Sequence, residues 1–237
     1  MIKTEKYLYK IDDTTYEGYL SWDEKVKGKR PVVMIAPTFR GQSEFEITKA
    51  EELAEMGYLG FAVDLYGQGR RASTPEVATM LMNELNNNRP LLRARFLSVL
   101  EEIKSHALAD PEKIGAIGFC FGGKCVLDLA RTGTSINGVV SFHGIYDAPD
   151  HLESTSIPAS VLVLHGWDDP LAHPDSTVQL ANELTRKGAE WQILAFGHTG
   201  HAFTNPNAKD EKGGMFYQPL SNARSWSKMK SFFEEIF

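Results

Sequence analysis

The chain has 237 residues, a hydrophobic content of 42% and a formal net charge of −6. This length and apolar content favour one large globular domain spanning residues 1–237, and the acidic balance without a basic cluster argues against nucleic acid and anionic membranes as partners. The lack of a long apolar run or a signal-like N-terminus, together with only two cysteines, predicts a cytoplasmic protein with no membrane span and no disulfide scaffold.

Strands and helices alternate through the first half of the chain. Short runs rich in β-branched and aromatic residues predict strands, first in a hairpin about Asp12-Asp13 and then as buried strands. The spacing of Ile47, Ala50 and Leu53 predicts a helix. Thr74-Pro75 is a typical helix start. The predicted strands are 7–11, 15–22, 31–36 and 59–64, and the predicted helices are 44–56, one opening at residue 74, and 91–106.

The second half continues the alternation from a strand that begins near residue 114. Further strands are predicted at 139–143, from 161 and at 191–196, helices at 124–131, 175–187 and 222–236, and a long loop at 205–219. Strands that alternate with helices indicate an α/β protein with a parallel sheet. We therefore predict an eight-stranded, mostly parallel sheet with helices on both faces and no separate cap domain.

A glycine-flanked cysteine lies between the strand from residue 114 and the helix that follows it. Gly118, Cys120 and Gly122 form the G-x-nucleophile-x-G pattern of a strand–turn–helix elbow, with Cys in the place usually taken by Ser. The sharp turn requires glycine on both sides, and it leaves the sulfur at a helix N-terminus, whose dipole favours the thiolate. The pattern predicts that Cys120 is a nucleophile, whereas Cys125 reads as a small core residue.

Acidic and histidine residues follow two later strands. Asp168 and Asp169 come after the strand from residue 161, and His198 and His201 come after the strand at 191–196. Nucleophile, acid and histidine in this order, each after a strand, are typical of α/β-hydrolases. A metal site built on His198-x-x-His201 is a weaker hypothesis, because no third His or Cys lies nearby in the sequence.

With these residues the sequence resembles the dienelactone hydrolase family, which uses a Cys–His–Asp triad in the α/β-hydrolase fold. The resemblance extends from about Pro31 to the C-terminal helix, and the elbow is its most specific part. It implies that Cys120, Asp169 and His201 are catalytic. Asp169 is the third residue after Gly166, as the G-x-x-D pattern requires, and Gly200-His201-x-Phe203 resembles the histidine loop of the family. Asp168 and His198 are then a solvated carboxylate and a turn residue.

The same resemblance predicts the rest of the site. One oxyanion donor is the backbone N–H of the residue after the nucleophile, Phe121. The second, by the family pattern, is that of Phe39 in the loop after the first parallel strand. The residues predicted to bind substrate are Thr38, Arg70, His143, Trp167 and Phe203. For His143, a hydrogen-bonded residue at a strand end is an equally weighted alternative.

Two departures from the family pattern concern the substrate. Close members carry a Glu that helps to activate the Cys where this chain has Thr38; Glu44 lies nearby, but the sequence does not place it at the sulfur. Those members also bind a substrate carboxylate with two Arg, where this chain has Gln68 and Asn205, and Arg70-Arg71 lies just beyond Gln68. The pattern therefore favours neutral substrates.

Three functions remain open from the sequence. The first is hydrolysis of a small-molecule ester or lactone through a thioester on Cys120. The second is hydrolysis of a thioester or a phosphoryl ester by the same residues. The third, a non-catalytic binding protein, is disfavoured because binding does not require all three triad residues. We expect no cofactor, no metal, no nucleic acid or membrane partner, and a monomer or small homo-oligomer.

Overall fold

The computed structural model describes residues 1–149 and 156–237. The chain divides into two compact units, residues 1–117 and residues 118–237, and the division falls inside the fifth strand. The expectation of a single domain stays a prediction.

The first unit combines an antiparallel hairpin with parallel strands. Its elements are β1 (Ile2–Ile11), β2 (Thr14–Asp23), β3 (Arg30–Ala36), α1 (Glu44–Glu55), β4 (Leu59–Ala62), α2 (Pro75–Asn86), α3 (Arg89–Lys104) and most of β5 (Ala109–Phe119). The spatial order of the strands is β1-β2-β4-β3-β5. β1 pairs antiparallel with β2 along its whole length, and β3 pairs parallel with β4. The side chains of β4 are completely buried, as its apolar run predicts.

The second unit begins at the end of β5 and carries the remaining parallel strands. Its elements are α4 (Phe121–Arg131), β6 (Gly138–Phe142), β7 (Ser160–Gly166), α5 (Pro174–Arg186), β8 (Trp191–Phe196), the two-residue strands β9 (Lys209–Asp210) and β10 (Met215–Phe216), and α6 (Pro219–Ile236). The strand order is β6-β7-β8, and both pairs are parallel. Parallel strands end at the same sheet edge, so residues that follow β7 and β8 lie near each other.

The predicted fold class is confirmed: the strands β1 to β8 form an eight-stranded, mostly parallel sheet with helices, as in α/β-hydrolases. The predicted loop at 205–219 is wrong in part, because it contains the antiparallel pair β9–β10. α6 begins three residues earlier than predicted, since Pro219 takes the first helical position, where its missing N–H costs nothing. Within residues 1–149 and 156–237, no helix has the length and apolar character needed to cross a membrane.

Candidate active site

Cys120 lies on a strained turn between β5 and α4. It is the N-cap of α4 and has φ 56° and ψ −117°, a conformation that L-residues rarely adopt and that costs on the order of 1–3 kcal/mol. A Cβ on Gly118 would overlap the carbonyl group of Gly122, so glycine is required two residues before the cysteine. Phe121 opens α4, where the first N–H groups have no acceptor within the helix. The backbone at Cys120 therefore has the form of a nucleophile elbow.

Asp169 and His201 form a buried pair. The His201 Nδ1 atom lies 2.8 Å from Asp169 Oδ2. Asp169 is 1% exposed and His201 is 3% exposed. The second carboxylate oxygen of Asp169 accepts the backbone N–H of Leu171 at 2.8 Å, which fixes its orientation. The structure thus brings together the two residues chosen from the sequence and leaves Asp168 and His198 exposed.

The environment of His201 favours its charged form. Burial lowers the pKa of its imidazole, but the charge of Cys120 and the hydrogen bond with Asp169 outweigh this effect and raise the pKa to about 10. In the described part of the chain, no atom meets the full geometry of a hydrogen bond with the buried Nε2 of His201. The effect of Cys120 on the pKa of His201 shows that the two side chains are near each other.

The hairpin formed by β9 and β10 holds the loop that carries His201. The backbone N–H of His201 donates to the Gly214 carbonyl at 2.7 Å, and its carbonyl accepts the N–H of Phe216 at 3.1 Å. On the other side of the loop, the hydroxyl groups of Thr199 and Ser221 are hydrogen-bonded at 2.8 Å. The loop of His201 is thus held by the β9–β10 hairpin, where the sequence predicted only a loop, and by Ser221, which lies just before the predicted start of the last helix.

His143 is buried next to the pair instead of lining an open surface. It is 2% exposed, its Nδ1 lies 3.2 Å from the backbone N of Cys120, and its Nε2 lies 2.8 Å from the hydroxyl of Thr204. Burial, with the charge of His201 as a smaller cause, holds the pKa of His143 well below its usual value of 6.5. These contacts match the alternative interpretation of a hydrogen-bonded strand-end residue.

Two further residues predicted to bind substrate belong to this second unit and differ in exposure. Trp167 is 48% exposed, and its backbone N–H is bonded to the Phe196 carbonyl. Phe203 is completely buried, with its ring 5.1 Å from that of His143 and 5.6 Å from that of Phe196. Trp167 therefore presents apolar surface to solvent, whereas Phe203 packs against His143 and Phe196. The roles of both residues toward a substrate stay predictions.

Three predicted site residues belong to the first unit. The N–H of Thr38 donates to Glu46 Oε1 at 3.1 Å, and the carbonyl of Phe39 accepts the Tyr66 hydroxyl at 2.9 Å. One guanidinium nitrogen of Arg70 is bonded to both carboxylate oxygens of Glu84, at 3.0 and 2.9 Å, and a second is bonded to the Tyr66 carbonyl. The roles of Thr38, Phe39 and Arg70 toward a substrate stay predictions.

Sequence reasoning missed two polar residues that hold these loops. Glu46 is completely buried and accepts from Thr38 N–H and from both the N–H and the hydroxyl of Ser43. The spacing Ser43-x-x-Glu46 is a capping box and was a usable signal. Thr204, the partner of His143, has no such signal, because the contact joins residues 61 positions apart.

No metal site accompanies these residues in the ranges that the structure describes: no group of three or more His, Cys, Asp or Glu side chains there has the arrangement to hold an ion. His198 is exposed with φ 55°, as a turn residue, while the Nδ1 of His201 is occupied by Asp169.

The comparison with known families decides the classification. The family model of the dienelactone hydrolase family matches residues 16–237. The chain belongs to the dienelactone hydrolase family. This is a hydrolase family whose enzymes act on small molecules, so the predicted family and the general reaction class are confirmed.

Relatives and solved structures agree with this classification. An uncharacterized protein of Caenorhabditis elegans is 30% identical over 149 residues, covering 62% of this chain and 94% of the relative. The dienelactone hydrolase-like promiscuous phosphotriesterase from metagenomic libraries has a TM-score of 0.92 and 32% identity over 100% of this chain and 99% of its own. A dienelactone hydrolase from Anabaena variabilis, with a TM-score of 0.69, 17% identity and 98% coverage of both chains, shares the fold.

Proposed function

We propose that this protein is a cysteine-dependent hydrolase of carboxylic esters or lactones, with Cys120 as nucleophile, His201 as acid–base and Asp169 as the residue that orients His201. The observation that carries the proposal is the buried His201–Asp169 pair beside a cysteine at a helix N-terminus. A thiolate with an imidazolium next to it is the reactive form of a nucleophilic cysteine.

In the proposed reaction, the Cys120 sulfur attacks the carbonyl carbon and forms a tetrahedral intermediate. As this intermediate collapses, the bond to the alcohol oxygen breaks, and the His201 imidazolium gives its proton to that oxygen. A water molecule then attacks the thioester while His201 takes one of its protons, and the C–S bond breaks to release the carboxylic acid. Asp169 stays ionised and holds the Nδ1 proton of His201 throughout.

The developing negative charge needs hydrogen-bond donors during both attacks. The N–H of Phe121 is suited to this role because it opens α4 and has no acceptor within that helix. The N–H of Phe39 is the second proposed donor, on the family pattern. Trp167 is the proposed apolar contact of the substrate, since it is the large exposed side chain two residues before Asp169.

A second candidate is hydrolysis of phosphoryl esters or thioesters by the same residues. It is supported by the likeness to the promiscuous phosphotriesterase, at 32% identity over nearly the whole of both chains. In that reaction the Cys120 sulfur would attack phosphorus or a thioester carbon, and the leaving group would take its proton from His201. Both candidates depend on Cys120 and differ only in the electrophile.

The test replaces each cysteine by alanine and compares hydrolysis of a p-nitrophenyl carboxylic ester, an aromatic lactone and a p-nitrophenyl phosphotriester. Cys120→Ala should abolish turnover of every accepted substrate, and Cys125→Ala, the matched control in the core, should keep it. Iodoacetamide should label Cys120 before Cys125, as mass spectrometry of the digested protein shows, and the activity should fall in proportion to that labelling. Full activity of Cys120→Ala would refute the proposal, and a higher kcat/KM for the phosphotriester than for the esters would favour the second candidate.

A further inference from the structure

The ring of His143 joins the turn of Cys120 to the loop of His201. Its Nδ1 faces the backbone N–H of Cys120 at 3.2 Å, an N–H that also donates to the Phe142 carbonyl at 3.1 Å. Its Nε2 lies 2.8 Å from the hydroxyl of Thr204. The ring of His143 thus contacts the backbone of Cys120 and the side chain of Thr204, which is the third residue after His201.

The same ring also packs against His201 itself. The two imidazoles meet edge to face with their centroids 4.9 Å apart. On another side, the ring of Phe203 lies edge to face at 5.1 Å. Because the backbone N–H of His143 is bonded to the Leu164 carbonyl of β7 at 2.9 Å, the ring is carried by the central strands of this unit and not by a mobile loop.

These contacts select one tautomer of a neutral imidazole. A proton on Nδ1 would point at the N–H of Cys120, so Nδ1 must accept, and the ring proton must lie on Nε2 and be donated to Thr204. Burial keeps the ring neutral. A neutral ring at this position leaves the adjacent His201 free to carry the positive charge, whereas a charged one would oppose it.

We propose that His143 is a positioning residue: its Nδ1 accepts from the N–H of Cys120 and its ring supports His201, which together keep the sulfur and the imidazole in reacting geometry. The inference rests on the proposed function of Cys120 and His201. It replaces the sequence-based hypothesis that His143 contacts the substrate. His143 is 2% exposed and both of its ring nitrogens are hydrogen-bonded, so its side chain has no free group for a ligand.

The test compares a variant of His143 that keeps the acceptor for the Cys120 N–H with one that removes it. His143→Asn keeps an acceptor at the place of Nδ1 and tolerates the backbone φ of 37°, whereas His143→Leu removes both ring nitrogens at similar volume. We expect His143→Leu to lower kcat by about 10- to 100-fold with little change in KM, the size expected when a reacting group is misplaced by a fraction of an ångström. His143→Asn should recover most of this loss. The exposed His173→Asn is the control for a histidine change elsewhere.

A second pair of variants tests the other ring nitrogen and guards against a folding defect. Thr204→Val removes the acceptor of Nε2 at the same volume, and Thr204→Ser keeps it; only the former should slow turnover. The rate at which iodoacetamide labels Cys120, read by mass spectrometry on variants whose melting temperature shows them folded, should follow the same order without reference to any substrate.

The outcomes separate this inference from the proposed function. If Cys120→Ala is inactive and His143→Leu, folded, keeps kcat and the labelling rate within twofold, the positioning role is wrong and the proposed function stands. An equal loss in His143→Asn and His143→Leu, or a loss confined to KM, would also overturn the positioning role. If Cys120→Ala is active, the proposed function fails, and the labelling rates alone decide whether His143 orders the cysteine.

Discussion

Replacement of Asp169 by Asn tests the proposed triad most directly. In the wild type, one carboxylate oxygen accepts the Leu171 N–H and the other accepts the Nδ1–H of His201, both at 2.8 Å. The introduced asparagine would keep its amide oxygen on the Leu171 N–H, because a backbone donor needs an acceptor. Its NH2 group would then face His201 Nδ1. The imidazole must accept there, so its single proton moves to Nε2, which is the wrong tautomer to take a proton from Cys120.

The size of the effect follows from the tautomer, because an imidazole that carries its proton on Nε2 cannot serve as the base. A positioned acid–base group contributes about 10²- to 10⁴-fold to the rate, so we expect a loss of this size in kcat. The upper limit is the size known for the same change in Ser–His–Asp triads, where the histidine is likewise left in the wrong tautomer. We expect the lower half of the range, since a thiol depends less on its base than a hydroxyl does.

The assay is kcat and KM with a p-nitrophenyl ester, together with the rate at which iodoacetamide labels Cys120. Asp168→Asn is the matched control, since it makes the same change one residue earlier at an exposed carboxylate. It should leave both rates within about twofold of the wild type. A kcat of Asp169→Asn within threefold of the wild type, or an equal loss in both variants, would refute the reasoning.

The pH dependence of stability gives the same variant a second readout. The pKa of His201 in the folded protein is about 10, above the value of about 6.5 for an unfolded histidine. Folding therefore favours the imidazolium. This contribution to the free energy of unfolding is complete below pH 6.5 and is lost as the pH rises toward 10. Asp169→Asn removes one cause of the raised pKa, so the decline between pH 6.5 and 10 should be smaller in urea titrations of the variant.

Two further predictions concern the elbow and the substrate. Gly118→Ala would place a Cβ against the carbonyl of Gly122, which is backbone and cannot rotate away, so we expect a fall in melting temperature of more than about 4 °C or loss of the folded protein. The control is Gly197→Ala, which should change the melting temperature little, because a Cβ there meets nothing within 4 Å and the backbone φ of Gly197 is not positive. An unchanged melting temperature of Gly118→Ala would contradict the elbow geometry. The kcat/KM for a neutral methyl ester should exceed that for the corresponding carboxylate, because Gln68 and Asn205 offer no charge partner and Arg70 is bonded to Glu84. A preference for the carboxylate that is abolished by Arg70→Ala would contradict this prediction and show that Arg70 binds the carboxylate.

Much of the fold was readable from the sequence because its signals are local. Buried runs such as those of β3 and β7, the glycine after α1 and the cap-then-proline start of α2 each report on a few adjacent residues. β1 was underestimated, since pairing with β2 continues from Ile11 back to Ile2 through residues with little apolar pattern. The pair β9–β10 was missed for a related reason: two-residue strands are held by contacts with His201, not by propensity.

The sequence by itself determined the candidate triad, because order along the chain and spacing after strands are properties of the local motif. The need for glycine at Gly118 came from the same kind of signal, whereas the resemblance to the family selected Asp169 over Asp168 and His201 over His198. The surroundings of that motif were decided only by the tertiary structure. His143 was equally compatible with a substrate contact and a strand-end residue, and its bond to Thr204 joins residues 61 positions apart. Burial, charge state and tautomer depend on which distant groups meet in space, and this is set by the packing of the sheet and its loops.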